Sequence, residues 1–273
     1  MKRVYLLLAS AMCLIVGCKQ ENKEFTTYHM EDSVCLYHSD GSDDEWPLYL
    51  KNSYSVEWPA EGLLSAEALR ELMIRCFDDS TAADVEQAAQ RWLNTLWPTD
   101  AEITLKGEVI DAIPDTVMHS EAHLESYCMQ DSTLATFVIK DEYYWAGAAH
   151  GVYGVDYLTI DKATGNVVHL TDLVVDTNLL CEAVAHAIQD LEVNKDILEC
   201  LFDEYRDVER MPMPQTFLVD SARNSIIVLY GIYAITPYCC GIQSVVMPIF
   251  WLSKHVPLTL YAKRLFGPGC SID

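Results

Sequence analysis

Apolar residues recur at helical spacing in three stretches of the chain. Ser65 can cap a helix over Ala66 to Phe77, where Leu69, Leu72, Met73 and Cys76 share one face. Thr81 precedes a second, Ala82 to Leu96, with Val85, Ala88, Ala89, Trp92, Leu93 and Leu96 aligned before Pro98 closes the pair. Leu179, Leu180, Ala183, Val184, Ala187, Ile188 and Leu191 predict a third, long enough to lie across a sheet. Elsewhere the composition is that of strands: Leu48 to Leu50, Tyr54 to Trp58 with Pro59 as its stop, a segment marked by Ile103, Leu105 and Val109, then Leu134 to Tyr144, Val152 to Ile160, Val167 to Leu170, Thr216 to Val219, Ser225 to Ile232 and Ile242 to Phe250. Gly165, within Asp161 to Asn166, supplies the positive φ of a hairpin return, and Asn224 marks another turn. Hairpin-like rather than crossover connections predict an α+β fold, mainly antiparallel sheets packed with helices, in two subdomains.

The amino terminus carries a different signal. Met1-Lys2-Arg3 is basic, and Val4 to Gly17 is apolar but shorter than the ~20 residues a spanning helix needs. It ends in Leu14-Ile15-Val16-Gly17-Cys18, which looks like a lipobox whose cysteine is exposed by cleavage and then acylated. The expected layout is a lipoprotein signal peptide over 1–17, a lipidated acidic linker over 18–45, subdomains over 46–144 and 145–265, and a tail over 266–273. Lys19 follows the anchor where an aspartate retains enterobacterial lipoproteins in the inner membrane, so the expected location is the outer membrane, on its periplasmic or surface face.

Cleavage before Cys18 removes 17 of 273 residues and leaves 256, enough for a substantial core, and 51% hydrophobic content rules out a disordered chain. Without Lys2 and Arg3, 16 basic residues face 41 acidic ones, a formal charge of −25. Such a field repels nucleic acid and anionic head groups and steers a cationic protein or peptide inward. Eight cysteines remain: Cys35, Cys76, Cys128, Cys181, Cys200, Cys239, Cys240 and Cys270. Export permits disulfides, but eight cysteines allow about 105 complete pairings, and no C-x-x-C occurs. Cys239-Cys240 reads as two buried thiols, with a vicinal ring or bridges to Cys270 and Cys35 as the alternatives.

Candidate chemistry is sparse. His119 and His123, four residues apart, would face one way on a helix and could share a metal, but no third ligand is evident and a surface pair is the expectation. His150 sits in a small-residue turn beside Tyr143, Tyr144, Trp145 and Tyr153, where it could present a ring edge in an aromatic groove or simply bond a backbone carbonyl. Tyr230, Tyr233 and Tyr238 could line a ligand surface or pack inside. Asp156, Asp161 and Asp172 read as turn and cap residues. No G-x-S-x-G, P-loop or dinucleotide fingerprint appears, so neither a cofactor nor a metal is expected.

Four motifs carry a family resemblance: Trp145-Ala146-Gly147-Ala148-Ala149-His150-Gly151, Tyr157-x-Thr159-Ile160-Asp161-x-x-Thr164-Gly165, Leu170-Thr171-Asp172-Leu173, and Tyr233-Ala234-Ile235-Thr236-Pro237-Tyr238-x-x-Gly241. In order and spacing the stretch from Trp145 to about Lys263 resembles the DUF3298 domain, and the region before it, with Glu57-Trp58-Pro59 and a helix pair, resembles the DUF4163 domain of Bacteroides-type lipoproteins. Ala148 stands where a second glycine is usual, which would strain a positive φ there. The resemblance implies recognition rather than catalysis, since relatives include lysozyme-sensing extracytoplasmic regions. The expectation is a lipid-anchored envelope protein recognising a cationic protein such as lysozyme, or cell-wall glycan, through Trp145, His150, Tyr153, Tyr233 and Tyr238. The alternatives are a glycan-modifying hydrolase using His150 with a carboxylate, and a purely structural envelope lipoprotein.

Overall fold

A computed structural model describes residues 25–38, 48–95, 118–220, 222 and 224–267. Its first layer is a six-stranded sheet in the order β1 (Thr27–His38), β2 (Leu48–Pro59), β3 (Met118–Gln130), β4 (Leu134–Tyr144), β5 (Val152–Asp161) and β6 (Asn166–Val167). All neighbours pair antiparallel except β2 and β3, which run parallel from Leu48↔Met118 to Val56↔Ser126. Parallel neighbours need a crossover, here supplied by α1 (Ala66–Phe77) and α2 (Val85–Thr95). The expectation of hairpins alone is corrected at this point.

The α1 boundaries follow from local chemistry. Ser65 Oγ accepts from Ala68 N at 3.2 Å, and Asp78 ends the helix at φ 52° with its N–H on Ile74 O. The α2 helix begins at Val85 rather than Ala82 because the Asp79 carboxylate holds the N–H groups of Thr81 and Ala82 in a loop, and Asp84 caps Gln87 N at 2.8 Å. Both helices lay Leu72, Phe77, Trp92 and Leu93 on Val56, Leu124, Phe137, Ile139, Leu158 and Ile160 of the sheet. Arg75 ties α1 to the sheet: it takes Glu71 on its own helix at 2.6 Å and both oxygens of Asp156 on β5 at 2.8 Å.

The second layer is a three-stranded antiparallel sheet, β7 (Thr216–Asp220), β8 (Ser225–Tyr230) and β9 (Gln243–Pro248), packed with α3 (Leu170–Leu173), α4 (Thr177–Asp190), α5 (Lys195–Cys200), α6 (Ile249–His255) and α7 (Leu260–Phe266). Leu180, Val184 and Ile188 of α4 meet Ile226, Val228, Val245, Met247 and Leu252 in its core. Asn194, 1% exposed, acts as a one-residue strand on the free edge of β9: its amide donates to Val246 O and Ala187 O and accepts from Val246 N, all at 2.9–3.0 Å. Thr216 joins the two layers, accepting from Tyr157 N at 3.0 Å and donating to Tyr157 O at 2.8 Å on the edge of β5.

Architecture and expectation agree on an α+β fold with mostly antiparallel sheets. Four local readings change. The segment expected as a solvated linker contains β1, which pairs with β2 from Thr27↔Pro59 to His38↔Leu48, and Phe25 is buried at its head. The two strands expected in Leu48–Trp58 are one. Val167–Leu170 is strand only to Val167; Asp172 then accepts from His169 N at 2.8 Å and starts α3. Ile242–Phe250 is interrupted by Pro248, after which α6 begins. The boundary expected at Trp145 falls in the β4–β5 hairpin, inside one sheet. Asn224 (φ 49°) and Gly165 (φ 72°) adopt the left-handed turn conformations expected of them. At Gly165 an added Cβ would lie 2.6 Å from Leu63 O, so the hairpin packs against the entry to α1 only because that position is bare. Cys18, Cys270, the side chain of Cys35 and the segment marked by Ile103, Leu105 and Val109 lie outside what is described.

Candidate functional site

Two loops meet at the β4–β5 end of the large sheet. The first, 145–151, turns at Gly147 (φ 82°), with Ala148 N on Trp145 O and Tyr144 Oη donating to Ala148 O. Ala148 is not at positive φ, so the departure from a second glycine costs this loop nothing. The second, 231–241, joins β8 to β9 and contains Tyr233 at φ 64°, a 3₁₀ turn over Tyr238–Cys240, and Gly241 at φ 69°. Its end is fixed covalently by a Cys200–Cys240 disulfide to the end of α5 and by Phe202 N on Ile235 O at 3.0 Å.

Four of the five predicted ring residues come together here. His150 stacks on Tyr238 with centroids 3.9 Å apart and planes at 23°. Tyr238 Oη and His150 Nδ1 both donate to Gly151 O, at 2.7 and 3.0 Å, so the stack is pinned to the first residue before β5. Tyr153 meets Tyr238 edge-on at 6.2 Å, and Tyr233 lies tilted against it at 5.7 Å. A Cβ on Gly241 would sit 3.0 Å from Tyr153 Oη, so glycine there brings the second loop up to the first. Trp145 stands apart from the cluster, stacked on Tyr143 at 5.9 Å and 10°. The outer surfaces are open: Tyr233 is 58% exposed, Trp145 49% and Tyr153 37%.

Tyr233 combines two features that seldom coincide. A bulky residue at positive φ costs on the order of 1 kcal/mol or more, and an inward-facing ring would ordinarily offset it by burial. This ring instead points its surface to solvent. Tyr230 is the opposite case, buried in the core with its hydroxyl on Pro212 O at 2.8 Å and its pKa pushed up by burial, so it lines no surface.

Carboxylates adjoin the cluster. Glu142 is the cross-strand partner of Tyr153, and exposed Glu199, Asp203 and Glu204 flank Cys200 and Phe202, with Asp203 paired to Arg206. Among the described residues no carboxylate bonds to His150. The histidine pair does not lie on a helix: His119 and His123 are on β3, His119 stacked on Tyr144 at 5.0 Å and His123 Nδ1 at 2.9 Å from Ser53 Oγ. No group of three or more metal-ligating side chains occurs among the described residues. Asp156 serves Arg75, while Asp161 and Asp172 accept turn and cap N–H groups, as their positions suggested. Burial pushes the Cys76 and Cys128 thiols up to about 12, leaving them protonated and unreactive.

The cysteine expectation is corrected: Cys240 pairs with Cys200, and Cys239 is exposed rather than buried. Pairing by sequence could not have found Cys200, 40 residues away. The one local cue was Gly241 after the two cysteines, which allows the tight return that turns Cys240 toward α5.

No protein-family model matches the sequence, and no curated protein matches it. Solved structures do. A crystal structure of a DUF3298 family member from Bacteroides fragilis superposes with a TM-score of 0.57 at 15% identity, over 90% of this chain and 96% of that one. A DUF3298 family protein from Pseudomonas aeruginosa gives 0.53 at 13% identity, over 88% and 97%. The likeness is one of fold, and it runs through both layers rather than the second alone.

Proposed function

We propose that this chain is a DUF3298-type envelope lipoprotein, acylated at Cys18, whose aromatic cluster recognises a cationic protein of the lysozyme class without catalysing a reaction. The observation that carries the reading is the cluster itself: Tyr233, Tyr153 and the His150–Tyr238 stack, open to solvent, braced by a disulfide and rimmed with carboxylates. Exposed tyrosine faces with few rotatable bonds are suited to anchor a protein interface, and they attract lysine and arginine side chains through the ring quadrupole. The acidic rim and the formal charge of −23 before processing favour encounter with a basic partner. Catalysis is disfavoured because the His150 ring is committed to Tyr238 and to a carbonyl, with no acid-base partner bonded to it among the described residues.

Calorimetric titration of the full chain with a basic chicken-type lysozyme at low salt tests this. The expected result is saturable binding that weakens with salt, with Tyr233→Ala reducing affinity roughly tenfold or more, as for an aromatic hot spot. Absence of heat with lysozymes of every structural type overturns the cationic-protein reading; heat with peptidoglycan fragments instead would move the ligand to the glycan.

A further inference from the structure

The acidic residues of this chain are unevenly placed. Of 41, none falls between residues 221 and 272, a stretch that holds Arg223, Lys254, Lys263 and Arg264. It ends in α6 and α7, and those helices turn an apolar, basic surface outward. Leu260 is 72% exposed and Phe250 57% exposed, with Lys254 Nζ 5.5 Å above the Phe250 ring. Leu260, Lys263 and Arg264 stand at i, i+3 and i+4, on one face of α7, while Ala262 is buried. Val175, 68% exposed, adjoins them through its N–H on Pro257 O. Among the described residues none of Lys254, Lys263 and Arg264 has an ion-pair partner. The carboxylates nearby are engaged: Asp161 accepts from Tyr261 Oη, Asp172 from His169 N, and Asp176 caps α4.

Position adds the second argument. The described chain begins at Phe25, which is buried, and six residues separate it from Cys18, a length of chain that spans at most about 25 Å. A short run of hydrogen bonds connects this exit to α7: Gln130 Nε2 donates to Phe25 O at 3.2 Å, Lys162 Nζ donates to Gln130 Oε1 at 3.1 Å, and the adjacent Asp161 accepts from Tyr261 Oη at 2.9 Å. Phe25, seven positions after Cys18, and the basic, apolar helices therefore lie at one end of the molecule.

We propose that the outer face of α6 and α7, with Phe250, Leu260, Lys254, Lys263 and Arg264, rests on an anionic lipid bilayer and orients the folded body on it. This rests on the reading of Cys18 as the anchor. Although the whole protein is anionic, charges farther than about 8 Å from the surface are screened at physiological salt, so the face in contact decides. Each basic side chain near an anionic surface raises partitioning about fivefold, and three together raise it by about a hundredfold.

The test is hydroxyl-radical footprinting of the full chain, expressed with its leader and reconstituted into vesicles with or without phosphatidylglycerol, with the mass of Cys18 read in the same digest. Expected are a lipid-modified Cys18 and several-fold protection of Phe250 and Leu260 on anionic vesicles only, lost in K254E/K263E/R264E. Acylated protein that floats with anionic vesicles but leaves those residues fully reactive overturns the orientation and spares the anchor. Unmodified Cys18 with protection retained removes the anchor and supports the face. Unmodified Cys18 without protection overturns both. Protection that depends on protein concentration and not on lipid assigns the face to a second copy and also overturns the proposal.

Discussion

Breaking the Cys200–Cys240 disulfide is the perturbation that separates a braced recognition loop from an ordinary surface turn. The bond closes a loop across a sequence separation of 40, for which the chain-entropy relation gives about 4 kcal/mol of stabilisation at 25 °C. In a domain of this size that corresponds to a fall in Tm of roughly 8–16 °C. Scanning calorimetry of the C200S/C240S variant, and of the native chain with and without a phosphine reductant, measures it. A second consequence concerns binding. Without the bond, residues 231–241 are held to the rest of the structure by buried Ile235, Gly231 N on Gln215 Oε1, Phe202 N on Ile235 O, Tyr238 Oη on Gly151 O and the Gln243 side chain, none of which fixes Cys240 to α5. Lysozyme affinity should therefore fall at temperatures well below the new Tm, while far-UV circular dichroism stays native. A Tm change under 2 °C, or non-reducing peptide maps that place Cys200 and Cys240 in other pairings, would refute the reasoning.

Three further outcomes follow from buried or crowded positions. Asn194→Ala removes three hydrogen bonds and orphans Val246 N, so urea denaturation should show a loss of about 3 kcal/mol; a loss under 1 kcal/mol would mean water replaces the amide. Gly165→Ala places a methyl against Leu63 O at positive φ and should cost about 2–3 kcal/mol by the same measurement, against about 1 kcal/mol for Gly62→Ala, whose Cβ meets nothing and which carries the φ penalty alone. Burial, and secondarily the Asp156 charge, raise the Asp141 pKa above its ordinary value. The folded state thus holds this proton longer than the unfolded chain, so its contribution is present below about pH 4 and lost as pH rises through the raised value. Asp141→Asn, neutral throughout, should match the parent Tm near pH 3.5 and exceed it at about pH 7; a lower Tm at pH 7 would contradict the sign.

Much of this fold was written locally. Ser65 and the spacing Leu69–Leu72–Cys76 give α1 at its observed ends, and the run Leu134–Ile139, apolar but for Thr136, gives β4. What escaped was set by partners. In β1 the alternation carried by Met30 and Val34 is broken by Asp32, because this strand is at the sheet edge and its polar residues meet water; only pairing with β2 reveals it. The parallel β2–β3 pairing depends on a crossover whose register no local pattern encodes. At the site, the aromatic residues were legible because tyrosine, histidine and glycine crowd two short loops. Their meeting was not, since it depends on Cys200 and on Gly241 approaching Tyr153 Oη, contacts made across 40 and 88 residues. Trp145, five residues before His150, turned instead to Tyr143 because the turn at Gly147 separates the two.

The account stands on the His150–Tyr238 stack being the surface a basic partner covers, and the imidazole proton resonances report on it directly. With lysozyme titrated into the protein, the His150 ring signals should move and saturate with the calorimetric stoichiometry, while those of His119 and His123, two strands away on β3 at the same end of the sheet, move less. Saturable binding that leaves His150 unmoved, or that shifts the β3 histidines alone, would contradict it.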